Sequence, residues 1–260
     1  MGPFWVHGRR TNKEWGAIVL TVLCDQGLEG LLTGLYWVFQ LKAEALCVQE
    51  HYQCNLVDSY QYFQADFQIA ERMQARIDKR FGPEVLEKLY WASLSESPTL
   101  GLAFFEFFGS ALKVKQFNLE AAFIDEALFE VIRLSRQVTR EYHKFLGITR
   151  FTQSSQGHYY GLIKPEYNIL TPLSQHFTER LSDQKWILID TNRSRAVCYN
   201  IDSQWEGNVS LDNLPVSQDA FEAHWITYYK AISIEARKND KLRQAFLPKR
   251  YWSHLTEMKE

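Results

Sequence analysis

The spacing of apolar residues changes at Gly147, and this change most constrains the fold of the 260-residue chain. Before Gly147, apolar residues recur every three or four positions, as in DFQIAERMQARIDKRF at 66–81, which predicts amphipathic helices. A long helix is predicted from about Glu120 to Leu146, because Gly147 is a typical helix stop. After Gly147, short runs of β-forming residues alternate with turn residues, which predicts strands.

Two strand pairs and one helix are predicted after Gly147. ITRFTQSSQGHYYGLI indicates a hairpin that turns near 155–157, and KWILIDTNRSRAVCYN indicates a second one that turns at 191–194. Thr171 and Pro172 open a helix between them. With one buried strand at 17–23, we predict an α+β protein. Its mainly helical N-terminal half is followed by a β-β-α-β-β antiparallel sheet unit and C-terminal helices.

No linker or repeat interrupts the chain, so a single α+β domain over 1–260 is the simplest organisation. The alternative is a helical subdomain over 1–147, followed by the sheet unit and C-terminal helices over 148–260. No run of about 18 uncharged apolar residues exists to cross a membrane. The N-terminus has no apolar signal region. We therefore expect a cytoplasmic protein.

Cysteine and glycine spacing argues against a metal or cofactor site. Cys47, His51 and Cys54 could all be ligands, but a helix would separate the two cysteines by about 10 Å. Zinc–sulfur bonds of about 2.3 Å make a shared ion difficult to reach. The sequence contains no glycine-rich phosphate loop and no three-cysteine cluster motif. We therefore expect neither a metal nor another cofactor.

Basic residues are concentrated in two stretches, although the net charge is −2. Residues 131–164 contain six bases and one acid, Glu141, and residues 229–252 contain seven bases and two acids. A helix would align four bases of the first stretch on one face, Arg133, Arg136, Arg140 and Lys144, which is typical of phosphate binding. The alternative is a solvated face paired with acids of the N-terminal half. The candidate phosphate contacts are Arg136, Arg140, Arg150, Arg237, Arg243, Lys249 and Arg250.

A second group of polar residues surrounds the predicted helix between the hairpins. Glu166 could act as a general base, His176 as a proton shuttle, and Asp190 as a further acid–base group. We favour a structural polar network over catalysis, because acids and amides at turns commonly bond backbone groups. The motif positions expected to have structural roles are Asn168, Arg180, Trp186 and Trp252. Arg193 and Arg195, beside Asp190, could contact phosphate or form a solvated hairpin tip.

Five stretches together carry a family resemblance: DQGLEGLLTGLYWVF, HKFLGITRF, YYGLIKPEYNILTPLSQHFTERL, KWILIDTNRSRAVCYN and WITYYKAISIEARKNDKLRQAFLPKRYW. In these the chain resembles a bacterial family of proteins assigned to DNA metabolism, whose shared domain is otherwise of unknown function. Members of that family accompany a radical-SAM protein thought to act in DNA modification or repair. Elsewhere the domain is fused to a uracil-DNA-glycosylase-type domain. The resemblance implies a DNA-related process and a protein partner, with no established reaction.

Three functional hypotheses follow. The first is an accessory nucleic-acid-binding protein in DNA repair or modification, which would bind DNA in a salt-dependent manner. The second is a DNA-acting enzyme that uses Glu166, His176 and Asp190. The third is an interaction module that docks the radical-SAM partner through aromatic helices, and that association would survive high salt.

Overall fold

The computed structural model describes residues 20–54, 59–113, 126–154, 157–210 and 240–255. The described strands are β1 (Leu20–Cys24), β2 (Ala45–Val48), β3 (Ser59–Phe63), β4 (Phe151–Gln153), β5 (Tyr159–Ile163), β6 (Lys185–Asp190), β7 (Arg195–Asn200) and β8 (Gln204–Asn208). The described helices are α1 (Leu28–Leu41), α2 (Phe67–Phe81), α3 (Pro83–Ser93), α4 (Leu100–Ala111), α5 (Glu126–Ile148), α6 (Leu170–Arg180) and α7 (Asp240–Phe246). The predicted α+β class is confirmed.

The chain divides into two compact units, Met1–Ser135 and Arg136–Glu260, and the division falls within α5. In the first unit, β1 lies between β2 and β3 in an all-parallel sheet. The sequence predicted one strand in this half. It missed β2 and β3 because β2 is only four residues long and the side chains of β3 are mostly exposed.

Close helix–strand packing in the first unit depends on small residues. A Cβ atom at Gly34 of α1 would lie 2.7 Å from the side chain of Leu46 and 2.8 Å from that of Cys24. A Cβ atom at Gly101 of α4 would lie 2.5 Å from the carbonyl oxygen of Leu46. Glycine therefore lets both helices approach β2 more closely than a larger residue would permit.

The second unit contains a five-stranded sheet in the order β4-β5-β6-β7-β8. Both predicted hairpins are present, and the second turns at 191–194 as expected. The sheet is not wholly antiparallel, because β5 and β6 pair in parallel with Tyr159 opposite Trp186 and Ile163 opposite Asp190. The reason is α6, which carries the chain back along the sheet, and a crossover helix makes its flanking strands parallel. Strand β8 was not predicted.

The predicted helix boundaries that fall within the described residues are close to the observed ones. The predicted start of the long helix near Glu120 lies outside the described residues. Helix α3 begins at Pro83, a residue that is common at the first position of a helix. Helix α5 ends at Ile148, so Gly147 lies in its last turn rather than beyond it. Residues 211–239, where part of the predicted C-terminal helical region falls, lie outside the described residues. Among the described helices, none combines the length and apolarity needed to cross a membrane.

Two glycines of α4 provide a matched test of this packing. Gly101→Ala should lower the free energy of unfolding by about 1–3 kcal/mol, because its methyl group would meet backbone atoms of β2. Gly109→Ala should raise it by up to about 1 kcal/mol, because nothing lies within 4 Å of that Cβ position. Urea denaturation of both variants measures the difference. Equal effects of the two substitutions would contradict the packing argument.

Candidate functional site

Polar side chains converge on the loop at 164–168, which follows the carboxyl end of β5. They come from α5, from the turn after β6 and from a 3-10 turn at Lys249–His254. Because β5 and β6 are parallel, their carboxyl ends meet at one edge of the sheet. That edge is where open α/β sheets usually bind ligands.

Glu141 of α5 is the centre of this cluster. Its side chain is 3% exposed. Its Oε1 accepts hydrogen bonds from the backbone N–H of Glu166 (2.9 Å) and the hydroxyl of Tyr251 (2.6 Å). Its Oε2 accepts one from the backbone N–H of Tyr167 (2.8 Å). A carboxylate that accepts three such bonds holds the loop backbone in place, because hydrogen bonds to a charged acceptor are strong.

Sequence reasoning gave Glu141 no role, although its position carried a signal. Val138 and Phe145, three residues before and four residues after it, are buried on the apolar face of α5. An acid on that face must find donors inside the protein, since an unpaired buried charge is very costly. The spacing alone could have identified Glu141 as a buried, bonded carboxylate.

Arg250 and Tyr251 form the outer side of the cluster. Arg250 Nη2 lies 2.7 Å from Glu166 Oε2 and donates to the Tyr251 hydroxyl at 2.9 Å. The Tyr251 ring packs edge-on against Phe145, with 5.3 Å between centroids. Burial, and then the bond to the Glu141 carboxylate, raise the pKa of Tyr251. Arg250 and Glu166 are each about half exposed, so their ion pair marks the rim of the cluster.

Asp190 is fully buried and holds the loop from its other side. Its Oδ1 accepts the backbone N–H groups of Asn192 (2.8 Å) and Arg193 (3.3 Å), and its Oδ2 lies 3.1 Å from Arg193 Nη1. The Arg193 guanidinium in turn donates to the carbonyls of Pro165 (3.3 Å) and Glu166 (2.8 Å). Burial raises the pKa of Asp190, while Arg193 opposes that rise.

The predicted acid–base residues do not form one group. Glu166 and Asp190 are linked through Arg193, which bonds the carbonyl of one and the carboxylate of the other. His176 packs against Phe177 instead, and its Nε2 is buried without a hydrogen-bond partner. No contact in the described part of the chain joins His176 to the other two. The catalytic role therefore stays a prediction.

The other residues predicted near the site have mainly packing or pairing roles. Trp186 is buried and stacks on Tyr199 with 5.4 Å between ring centroids. Trp252 donates its indole N–H to the carbonyl of Leu247 at 2.9 Å, which anchors the 3-10 turn. Arg195 pairs with Glu206 at 2.7 Å. Asn168 is half-buried within the loop.

The candidate phosphate contacts lie on several elements. Arg136 and Arg140 are exposed on α5, and Arg150 follows that helix. Lys249 is exposed on the 3-10 turn, with its Nζ 5.9 Å from the centre of the Trp252 ring. Arg237 lies outside the described residues. For Arg243 the structure describes only the backbone, which belongs to α7.

A pocket of about 450 Å³ lies where α5 and α6 end. Arg150 and Arg180 line it, together with the rings of Phe151, Tyr159 and Phe177. In the described part of the chain, no three His, Cys, Asp or Glu side chains are grouped as a metal ion would require.

A family model described as a domain of unknown function, DUF4130, matches residues 101–257, which is more than half of the chain. The chain belongs to the DUF4130 family. No curated protein matches it. The DUF4130 match includes every residue of the cluster around Glu141 and every residue that lines the pocket. Both features are therefore part of the DUF4130 domain itself.

The cluster makes one rigid unit from distant parts of the DUF4130 domain. Glu141 fixes two amides of the loop, and Arg193 fixes two of its carbonyls. Buried polar networks whose donors and acceptors are satisfied make a structure rigid. The arrangement holds the loop in one conformation with Glu166 and Arg250 at its surface.

Replacement of Glu141 tests this role. Glu141→Gln should lower the free energy of unfolding by about 2–4 kcal/mol. Both carboxylate oxygens accept hydrogen bonds, so the amide nitrogen of glutamine, which can only donate, would face at least one of the three donors and leave it without an acceptor. Glu179→Gln on α6 is the matched control, since Glu179 is exposed and should change stability by less than about 0.5 kcal/mol. Urea denaturation gives both values. A cost for Glu141→Gln no larger than the control would show that the carboxylate does not hold the loop.

Tyr251 should make the protein sensitive to alkaline pH. Its pKa is raised in the folded state, so its contribution to stability is complete below the unfolded value of about 10. That contribution is lost as pH rises from about 10 through the folded pKa. Over this range the Tyr251 hydroxyl ionises in the unfolded chain but not yet in the folded one, which stabilises the unfolded chain. The difference in unfolding free energy between wild type and Tyr251→Phe should therefore shrink between about pH 9 and 11. A constant difference across that range would refute the assignment.

Proposed function

We propose that the protein binds nucleic acid through the outward face of α5 and acts as an accessory component of DNA repair or modification. The observation that carries this proposal is the distribution of charge on the part of α5 that belongs to the second unit. Arg136 and Arg140 of that segment are exposed and Lys144 is half-buried, whereas its one acid, Glu141, points inward and is bonded there.

The cationic face of α5 consists of Arg136, Arg140 and Lys144, and Arg150 follows just after the helix. Arg136 and Arg140 are exposed one turn apart, and exposed His143 and Gly147 continue the same face. At 1.5 Å per residue, this face extends over about 16 Å. Duplex DNA carries about one negative charge per 1.7 Å of axis, so several phosphates lie within that span.

The buried position of Glu141 keeps its negative charge away from this face. An exposed glutamate beside Arg140 would offset part of its charge and lower the attraction to phosphate. Here the carboxylate is occupied by Tyr251 and two loop amides, so the fold separates the acid from the bases. One amphipathic helix thereby provides both the internal clamp and the external cationic surface.

Lys249 and Arg250 extend the proposal to the C-terminal 3-10 turn. Both side chains are exposed, and the Arg250 side chain remains 56% exposed while it pairs with Glu166. Arginine has five N–H donors, so this pairing does not exhaust its capacity. These two residues, with Arg237 and Arg243, are proposed as additional phosphate contacts.

The resemblance in sequence supplies the biological context of the proposal. It implies DNA as the target and a radical-SAM protein as the partner. In this proposal any radical chemistry is carried out by that partner, while this chain supplies nucleic-acid affinity.

Binding of labelled single- and double-stranded DNA, measured by fluorescence anisotropy at two salt concentrations, tests the proposal. Affinity should fall steeply with salt as condensed counterions are released. Arg140→Glu should weaken binding about tenfold or more and reduce the salt slope by about 1 or more, since charge reversal removes one phosphate contact and adds repulsion.

Arg76→Glu is the matched control. Arg76 is an exposed arginine of α2 in the first unit, so the substitution changes net charge equally at a site outside the proposed surface. Its affinity should stay close to wild type. Absence of binding by folded wild-type protein at low salt would refute the proposal, and so would equal loss of affinity in the two variants.

A further inference from the structure

The pocket at the ends of α5 and α6 has the size of a small-ligand site. Its volume of about 450 Å³ lies within the range of about 300–1,000 Å³ that is usual for ligand pockets. Phe151, Phe177 and Leu146 provide apolar surface, and Arg150 and Arg180 add two cationic groups. More of the exposed lining is polar than apolar, so it suits a ligand that has several polar groups, one of them anionic.

The two arginines are held differently. Arg150 donates from Nη1 to the carbonyl of Gly147 at 2.9 Å, and this bond positions its guanidinium beside the pocket. Arg180 lies in the last turn of α6 and is exposed. No hydrogen bond or ion pair joins Arg180 to another side chain in the described part of the chain. Two guanidinium groups are typical ligands of a phosphate. Each is planar and can donate two parallel N–H hydrogen bonds to phosphate oxygens.

A bare anion would not match the rest of the lining. Asp183 also lines the pocket, and the carboxyl ends of α5 and α6 contribute partial negative charge there. These groups reduce the net attraction for a small anion. Tyr159 adds a half-buried aromatic ring, and Gln184 adds an amide that can both donate and accept. A ligand with one phosphate and a flat polar ring uses all of these groups.

The pocket is continuous with the cationic face of α5. Gly147 is the exposed end of that face and also lines the pocket. A Cβ atom at Gly147 would have nothing within 4 Å, so the space beside it is open. A strand whose backbone follows Arg136 and Arg140 would therefore reach the pocket at the end of the helix.

We propose that this pocket binds one nucleotide unit, with its phosphate between Arg150 and Arg180 and its base against Tyr159. The nucleotide comes either from a single-stranded segment of nucleic acid or from a free nucleoside monophosphate. Only the first source rests on the function proposed above. Aromatic stacking tolerates any base, so the pocket is expected to distinguish the presence of a base and a phosphate more than base identity.

Isothermal titration of the full chain with dTMP and dAMP, against thymidine, deoxyadenosine and inorganic phosphate, tests the pocket directly. The monophosphates should bind at least about tenfold more tightly than the nucleosides or phosphate, because only they engage both the arginines and the ring. Arg180→Gln should weaken dTMP binding about tenfold, whereas Arg76→Gln should not change it. Inorganic phosphate that binds as tightly as dTMP would overturn the proposal.

Gly147 allows a second variant that blocks the pocket without removal of any lining charge. Gly147→Leu should prevent dTMP binding, because its side chain would enter the open space, while Gly147→Ala should preserve it. Both substitutions favour the helix, so neither is expected to unfold α5. Equal dTMP affinity in the leucine and alanine variants would overturn the assignment.

Competition with labelled DNA separates this proposal from the previous one. If dTMP displaces single-stranded DNA from wild type, the pocket holds a nucleotide of the strand. If dTMP binds but the protein has no affinity for DNA, the pocket is a free-nucleotide site and the proposed function fails. If DNA binds, dTMP does not, and Gly147→Leu binds DNA normally, the pocket assignment fails and the proposed function stands.

Discussion

The buried carboxylate of Glu141 is the interaction on which the architecture of the second unit depends. It joins α5 to the loop after β5 and to the C-terminal 3-10 turn through three hydrogen bonds. Burial of a charge is tolerable only when donors surround it, so the three segments must be in place together. This requirement makes assembly of the loop cooperative. It also explains why an acid lies on the apolar face of an otherwise basic helix segment.

The same constraint determines what the outer surface can do. Since Glu141 is directed inward, the exposed side of α5 retains Arg136 and Arg140 without a neighbouring acid from that segment. Asp190 is also a buried carboxylate, which is bonded to Arg193 and two backbone amides. In both cases a negative charge is buried and bonded inside the protein, so it does not contribute to the outer surface. The net charge of the chain is slightly negative, yet one face of α5 is cationic.

Local patterns predicted much of the fold, whereas the site depended on contacts between distant residues. The turn at 191–194 and the start of α3 at Pro83 were predictable because turn and capping chemistry act over a few residues. The role of Glu141 was not predicted, since its donors lie 25, 26 and 110 residues away. The parallel pairing of β5 and β6 could have been deduced from the intervening helix. A helix that carries the chain back along the sheet lets the next strand run in the same direction as the previous one. The pairing of Glu166 with Arg250 required the three-dimensional structure.

The two ends of the parallel pair β5–β6 differ in a way that bears on where a ligand can bind. Ligands of open α/β sheets usually bind at the carboxyl ends of parallel strands. At the carboxyl ends of β5 and β6, the loop backbone is already hydrogen-bonded. Its carbonyls accept from the Arg193 guanidinium and its amides donate to the Glu141 carboxylate. At the opposite end, Tyr159 and Arg180 line an open pocket. A buried network that satisfies itself gains rigidity but has few groups left for a ligand. The pocket proposed to bind a nucleotide therefore lies at the amino end of the strand pair, while the loop at the carboxyl end is held by its own network and presents Arg250 and Glu166 at its surface.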